Sequence, residues 1–162
     1  MTSARLNNIF FNIVAIVICA ASYMVLNNNI ELSLLPHKIV LEYLYNYNFV
    51  FIENIGYEQT NGLFIIAQNC LGIKLFINLF LILVFGFLHK YSAMKDRVMA
   101  IIKFYFIALV LAFVITIMRI SASVPFCTWD SFYSIHNVIS LTIYFISGLA
   151  LYFVMERKVA DR

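Results

Sequence analysis

A thiol, a guanidinium and an imidazole together can carry acyl transfer, and this sequence offers the three as Cys70, Arg119 and His136. The thiol attacks as its thiolate, whose ordinary pKa of about 8.5 falls at a helix N-terminus or beside a cation. An imidazole can take the thiol proton and return it to the leaving amine. A guanidinium stays charged in nearly any surroundings, so it can hold a substrate carbonyl or the oxyanion that forms from it. Each residue alone has an ordinary reading: Cys70 as packing, Arg119 as a snorkelling anchor, His136 as an interfacial histidine. The case for a site rests on whether the chain brings them together.

The elements that must do so are membrane helices. Hydrophobic residues make up 64% of the 162 residues and charged residues only 12%. A soluble domain is nearer one-half and one-quarter, so this chain lacks the polar side chains to cover a surface in water. Apolar runs predict four spans, at residues 9–26, 71–88, 98–118 and 138–155. The first is longer than a usual signal-peptide core and is followed by Asn27, Asn28 and Asn29 rather than a small-residue cleavage site, so it reads as a retained helix. Residues 27–70 form a loop, within which 39–52 mixes Ile39, Val40, Leu41, Leu44 and Phe49 with Glu42 and a Tyr-Asn alternation. That mixture predicts an interfacial helix. The fold class is therefore an all-α integral membrane protein, a bundle of about four transmembrane helices with an outer loop or interfacial helix, in a single membrane domain over 1–162.

Sides follow from basic residues. Arg5, then Lys90, Lys95 and Arg97, then Arg157, Lys158 and Arg162 all fall on one side if four helices alternate. The other side holds Lys38 with Glu31, Glu42, Glu53, Glu58 and Asp130. The Lys/Arg bias places both termini in the cytoplasm and the 27–62 loop outside the plasma membrane. Trp129 and the tyrosines at 43, 45, 47 and 57 then read as an outer aromatic belt. In this topology Cys70 enters the second helix, Arg119 ends the third and His136 begins the fourth, all at the outer boundary. Gln68, Asn69 and Gly72 flank Cys70 as an approachable turn. His37 reads as an ordinary interfacial histidine, and His89 falls on the cytoplasmic side. Ser121 and Ser123 can satisfy carbonyls at the end of the third helix.

Other chemistries lack their residues. The net charge of +3 is scattered without a basic stripe, so no nucleic-acid partner is expected. Cys19, Cys70 and Cys127 form no CxxC pair and no zinc spacing, and no metal or cofactor is expected. Cys127 reads as an idle outer thiol. There is no glycine-rich phosphate loop, HExxH or GxSxG. No acidic partner lies in a span, which disfavours a proton-coupled transporter. A non-catalytic membrane scaffold or assembly subunit is the alternative from a different class.

The segment from Gly62 to Gly72, with Cys70 two residues before Gly72, resembles the signature of the exosortase/archaeosortase family, most closely its compact exosortase K type. The arginine of that pattern matches Arg119 within Ile117, Met118 and Ile120, and the histidine matches His136 within Ser134, Ile135 and Asn137. The resemblance covers about residues 56–153. Leu71 stands where a serine is usual, and Ile115, Thr116 and Ile117 occupy the stretch where an asparagine is common. The resemblance implies a membrane cysteine transpeptidase or protease, with Cys70, Arg119 and His136 as catalytic residues. It also implies membrane-anchored protein substrates bearing a C-terminal sorting signal of motif, helix and basic tail.

Overall fold

The computed structural model describes residues 2–53, 55–62, 64–129 and 131–160; Leu63, Asp130 and Arg162, and the side chains of Arg5 and Lys158, lie outside what it describes. The chain forms five α-helices: α1 (Thr2–Asn28), α2 (Ile30–Tyr45), α3 (Ile73–Phe87), α4 (Met94–Ser123) and α5 (Phe132–Ala160). Among the described residues, four helical stretches are long and apolar enough to cross a membrane: Asn7–Asn28, Gln68–Lys90, Met94–Phe126 and Ser134–Arg157. Each contains one of the spans expected at 9–26, 71–88, 98–118 and 138–155. The protein is an all-α membrane bundle. Burial is uneven, at 61% for the α3 stretch and 11% for the α5 stretch, so α5 leaves most of its apolar surface to lipid or to another helix.

The segment between α1 and α3 corrects the sequence reading. No single interfacial helix covers 39–52. Residues 39–45 finish α2, and Phe49–Ile52 form the first strand of a small sheet. Strands β1 (Phe49–Ile52), β2 (Gly56–Gln59) and β3 (Ile65–Ala67) pair antiparallel in the order β1-β2-β3, with Val50 opposite Glu58 and Tyr57 opposite Ile66. Asn46 in the left-handed conformation (φ 53°) ends α2 and turns the chain into β1. Gly56 is required where it stands: its φ is +128°, and a Cβ there would run into the Ile66 carbonyl oxygen.

Two compact units divide the described residues: those within 2–24, 73–112 and 147–160 in the first, and those within 25–72 and 113–146 in the second. In the first, Phe76 and Phe80 stack at 6.1 Å and the Tyr105 ring meets both edge-on. Arg97 is buried there with its charge satisfied, donating from Nη1 to Asn8 Oδ1 and from Nε to the Tyr91 carbonyl, each at 2.7 Å. In the second unit, α2, the sheet and the end of α4 share one apolar core of Leu34, Leu41, Phe49, Tyr57, Ile66, Cys70, Ile120 and Val124. Tyr57 therefore belongs to the core at 4% exposure, while Tyr43 (89%) and Trp129 (57%) are free to meet an interface.

Candidate functional site

All three residues singled out by chemistry fall in the second unit. β3 delivers the chain to a 3-10 turn, Gln68–Leu71, that carries Cys70; Gly72 follows at φ 67° and lets α3 start at Ile73. Gln68 anchors the turn by donating to Asn27 Oδ1 at 2.5 Å. The Cys70 side chain does not stand open at a helix start: it is 9% exposed and packs in the apolar core. Arg119 lies one turn before the end of α4, and His136 one turn into α5.

Arg119 is the hub. It is 6% exposed, and its charge is felt at Cys70, His136, Tyr144 and His37. Nη1 donates to the Tyr144 hydroxyl at 2.6 Å, and the charge sits 5.4 Å from the Tyr144 ring centre. Nε and Nη2 have no hydrogen-bond partner among the described residues. These two N–H groups lie along one edge of the guanidinium plane, the edge that binds an oxygen side-on. A buried cation with its two-donor edge unspent is costly unless something binds there.

His136 reaches the group through Ser123. The Ser123 hydroxyl donates to the Arg119 carbonyl at 2.9 Å, as expected of a serine at the end of this helix, and its oxygen lies 2.9 Å from His136 Nδ1. Because the hydroxyl hydrogen is committed to the carbonyl, Nδ1 must be the donor to Ser123. That fixes the tautomer and leaves the Nε2 lone pair as the basic position. No hydrogen bond joins His136 to Cys70 among the described residues; Arg119 is the residue they share.

Sequence reasoning missed Tyr144 and mistook His37. Tyr144 reads as one more aromatic between Ile143 and Phe145, yet His136, Ser140 and Tyr144 recur at four-residue intervals and mark one polar face of α5. His37 is not an interfacial histidine: it is 4% exposed, and its ring meets Phe113 edge-on at 4.9 Å. Burial pushes its pKa down to about 4, a direction the Arg119 charge reinforces, so it is neutral near pH 7. Cys19, Cys70 and Cys127 are all free thiols. No family model, curated protein or solved structure matches this chain.

Proposed function

We propose that this chain is a membrane cysteine transpeptidase or protease of the exosortase kind, acting at the outer face of the plasma membrane through a thioester on Cys70. The observation that carries this reading is the unspent Nε–Nη2 edge of buried Arg119 beside the Cys70 thiol. That edge supplies two donors for a single developing oxyanion.

In the proposed reaction the Cys70 proton passes to His136 Nε2, directly or through one water. Sγ then attacks the scissile carbonyl carbon, a C–S bond forms, and the carbonyl electrons move onto the oxygen held by Arg119. Collapse restores the carbonyl and breaks the C–N bond. The leaving amine takes the proton from His136. Water or an acceptor amine next attacks the thioester carbon and returns the thiol. Tyr144 positions Arg119, and Ser123 positions His136. The substrate is a membrane-anchored protein whose own helix lies in the bilayer beside α5, and whose basic tail stays in the cytoplasm by the positive-inside bias.

The test compares cells carrying the wild type, Cys70→Ala and Arg119→Gln. The readout is mass spectrometry of the C-termini of membrane proteins that end in an apolar helix and a basic tail. Full-length forms should accumulate in both variants while the variant proteins still insert. Identical C-termini in all three strains would remove the enzyme reading and leave the scaffold reading, which predicts sensitivity on the α5 lipid face instead.

A further inference from the structure

A cavity of about 450 Å³ lies in the second unit, where α1 gives way to α2, and none of Cys70, Arg119 and His136 lines it. That volume falls within the roughly 300–1,000 Å³ of small-molecule sites. The polar side chains of its wall are Asn28, Asn29, Glu31, Glu53 and Tyr57. The Tyr57 hydroxyl donates to the Glu31 carbonyl at 3.4 Å and is engaged there. Asn29 donates from its amide nitrogen to the Val25 carbonyl at 2.9 Å, and its side-chain oxygen remains an acceptor. Glu31 and Glu53 are exposed, and the ion pair of the described residues joins Lys38 to Glu42 instead, at 3.5 Å. No lysine, arginine or histidine lines the cavity. Two carboxylates therefore share its wall without a basic partner among the described residues. The helix ends do not offset them: the negative C-terminal end of α1 and the positive N-terminal end of α2 meet across Asn29 and largely cancel.

The rest of the wall is apolar, from Ile30, Leu32, Leu35 and Phe51. Phe51 is half-buried, and it meets the Tyr57 ring edge-on at 5.3 Å, a packing that holds it in place. The face of such a ring attracts a cation. These two kinds of wall sort the possible ligands. An anion is repelled by both carboxylates. Calcium takes six to eight oxygens, and no group of three or more His, Cys, Asp or Glu side chains that could hold a metal occurs among the described residues. An uncharged ligand gains nothing from the charges. A cation carried on an apolar stem uses everything the cavity offers. We infer that the cavity binds an alkylammonium group, its head on the Glu31 and Glu53 carboxylates and the Asn29 oxygen, its stem on Phe51 and the leucines. A lysine side chain of a peptide and a free polyamine both present that chemistry. The inference does not depend on the reaction assigned to Cys70.

Isothermal titration calorimetry on the whole chain in detergent micelles tests it. The probes are Nα-acetyl-lysine N-methylamide, the norleucine analogue with the same stem and no charge, spermidine and calcium chloride. The lysine probe should bind saturably and the norleucine probe should not. Glu31→Gln and Glu53→Gln should each raise the Kd about threefold, as expected of one exposed ion pair, and the double variant about tenfold. Glu58→Gln alters a carboxylate that does not line the cavity and should leave the Kd unchanged. Glu31 stands in the first turn of α2, so its variant also tests that helix. Glu53 follows β1, outside every helix and strand, and carries the test alone if the Glu31 variant misfolds. Tighter binding of spermidine would name a free polyamine as the source of the ammonium, and tighter binding of the lysine probe a peptide; loss in the double variant upholds the site in either case. Four results would overturn it: no saturable heat from either amine, equal binding of the norleucine probe, a wild-type Kd in the double variant, or an equal loss in Glu58→Gln. Displacement of the lysine probe by an equal concentration of calcium would overturn the alkylammonium assignment in favour of a metal ion.

Discussion

The buried imidazole makes a prediction that needs no substrate. His37 is 4% exposed, burial lowers its pKa from 6.5 to about 4, and the charged group acting on it is a cation, Arg119. Neither ring nitrogen has a hydrogen-bond partner among the described residues. Between pH 6.5 and 4 the unfolded chain holds a proton on this residue that the folded chain refuses, so stability must fall with acidification through that window. At pH 7 the loss is negligible. At pH 5 it is about 2 kcal/mol, from RT ln[(1 + 10^1.5)/(1 + 10^−1)]. For a chain of this length that corresponds to a fall of roughly 4–8 °C in Tm. The assay is thermal unfolding in detergent micelles at pH 7 and pH 5, in wild type and His37→Phe. Other carboxylates and histidines also titrate, so the quantity that matters is the difference of differences: the acid-induced drop should be several degrees smaller in His37→Phe. Equal drops in the two proteins would show that His37 is protonated in the folded state or exposed.

Substitutions at four further positions probe the same unit. Tyr144→Phe keeps the ring under the guanidinium and removes only the hydroxyl that binds Nη1 at 2.6 Å. It should destabilise the protein by about 2 kcal/mol, the usual worth of a hydrogen bond to a charge, and slow Cys70-dependent processing, read from the same C-terminal mass spectra. Ser123→Ala frees His136 to adopt either tautomer; processing should fall about tenfold and recover in Ser123→Thr, whereas a purely structural role would lower Tm and spare processing. Gly56→Ala forces a Cβ against the Ile66 carbonyl at φ +128°, so it should cost roughly 2–4 kcal/mol by thermal unfolding and loosen the strand that leads to Cys70. Gly62→Ala, at φ +70° with no atom closer than Glu58 Oε1 at 3.8 Å, should cost less.

The spans were legible because an apolar run of bilayer length leaves the backbone one solution, a helix. The segment before Cys70 was not, because its signals conflict. Pro36 removes an N–H inside α2, the Tyr-Asn alternation of 45–48 imitates a surface strand or loop, and each strand of the sheet is too short to show a period of two. What holds that sheet is long-range: Tyr57 donates to the Glu31 carbonyl, and Thr60 ties back to the Asn48 carbonyl.

The site divides the same way. Cys70, Arg119 and His136 could be brought to one depth by counting helices, since topology alone fixes which helix ends share a level. The roles of their supporting residues are set by azimuth, and a hydropathy profile averages azimuth away. Polar spacing preserves it. Thr116, Arg119 and Ser123 stand at i, i+3 and i+7 on α4, and His136, Ser140 and Tyr144 at i, i+4 and i+8 on α5. Each series is what one helix face must show if it buries polar groups where lipid offers them no hydrogen bond. Two such faces account for the groups about Arg119: Tyr144 from α5 takes one nitrogen, and Ser123 from α4 sets the His136 tautomer. A membrane helix has little other reason to repeat polar residues at that interval. The periodicity of the rare polar residues therefore says more about this site than the apolar residues that dominate the chain.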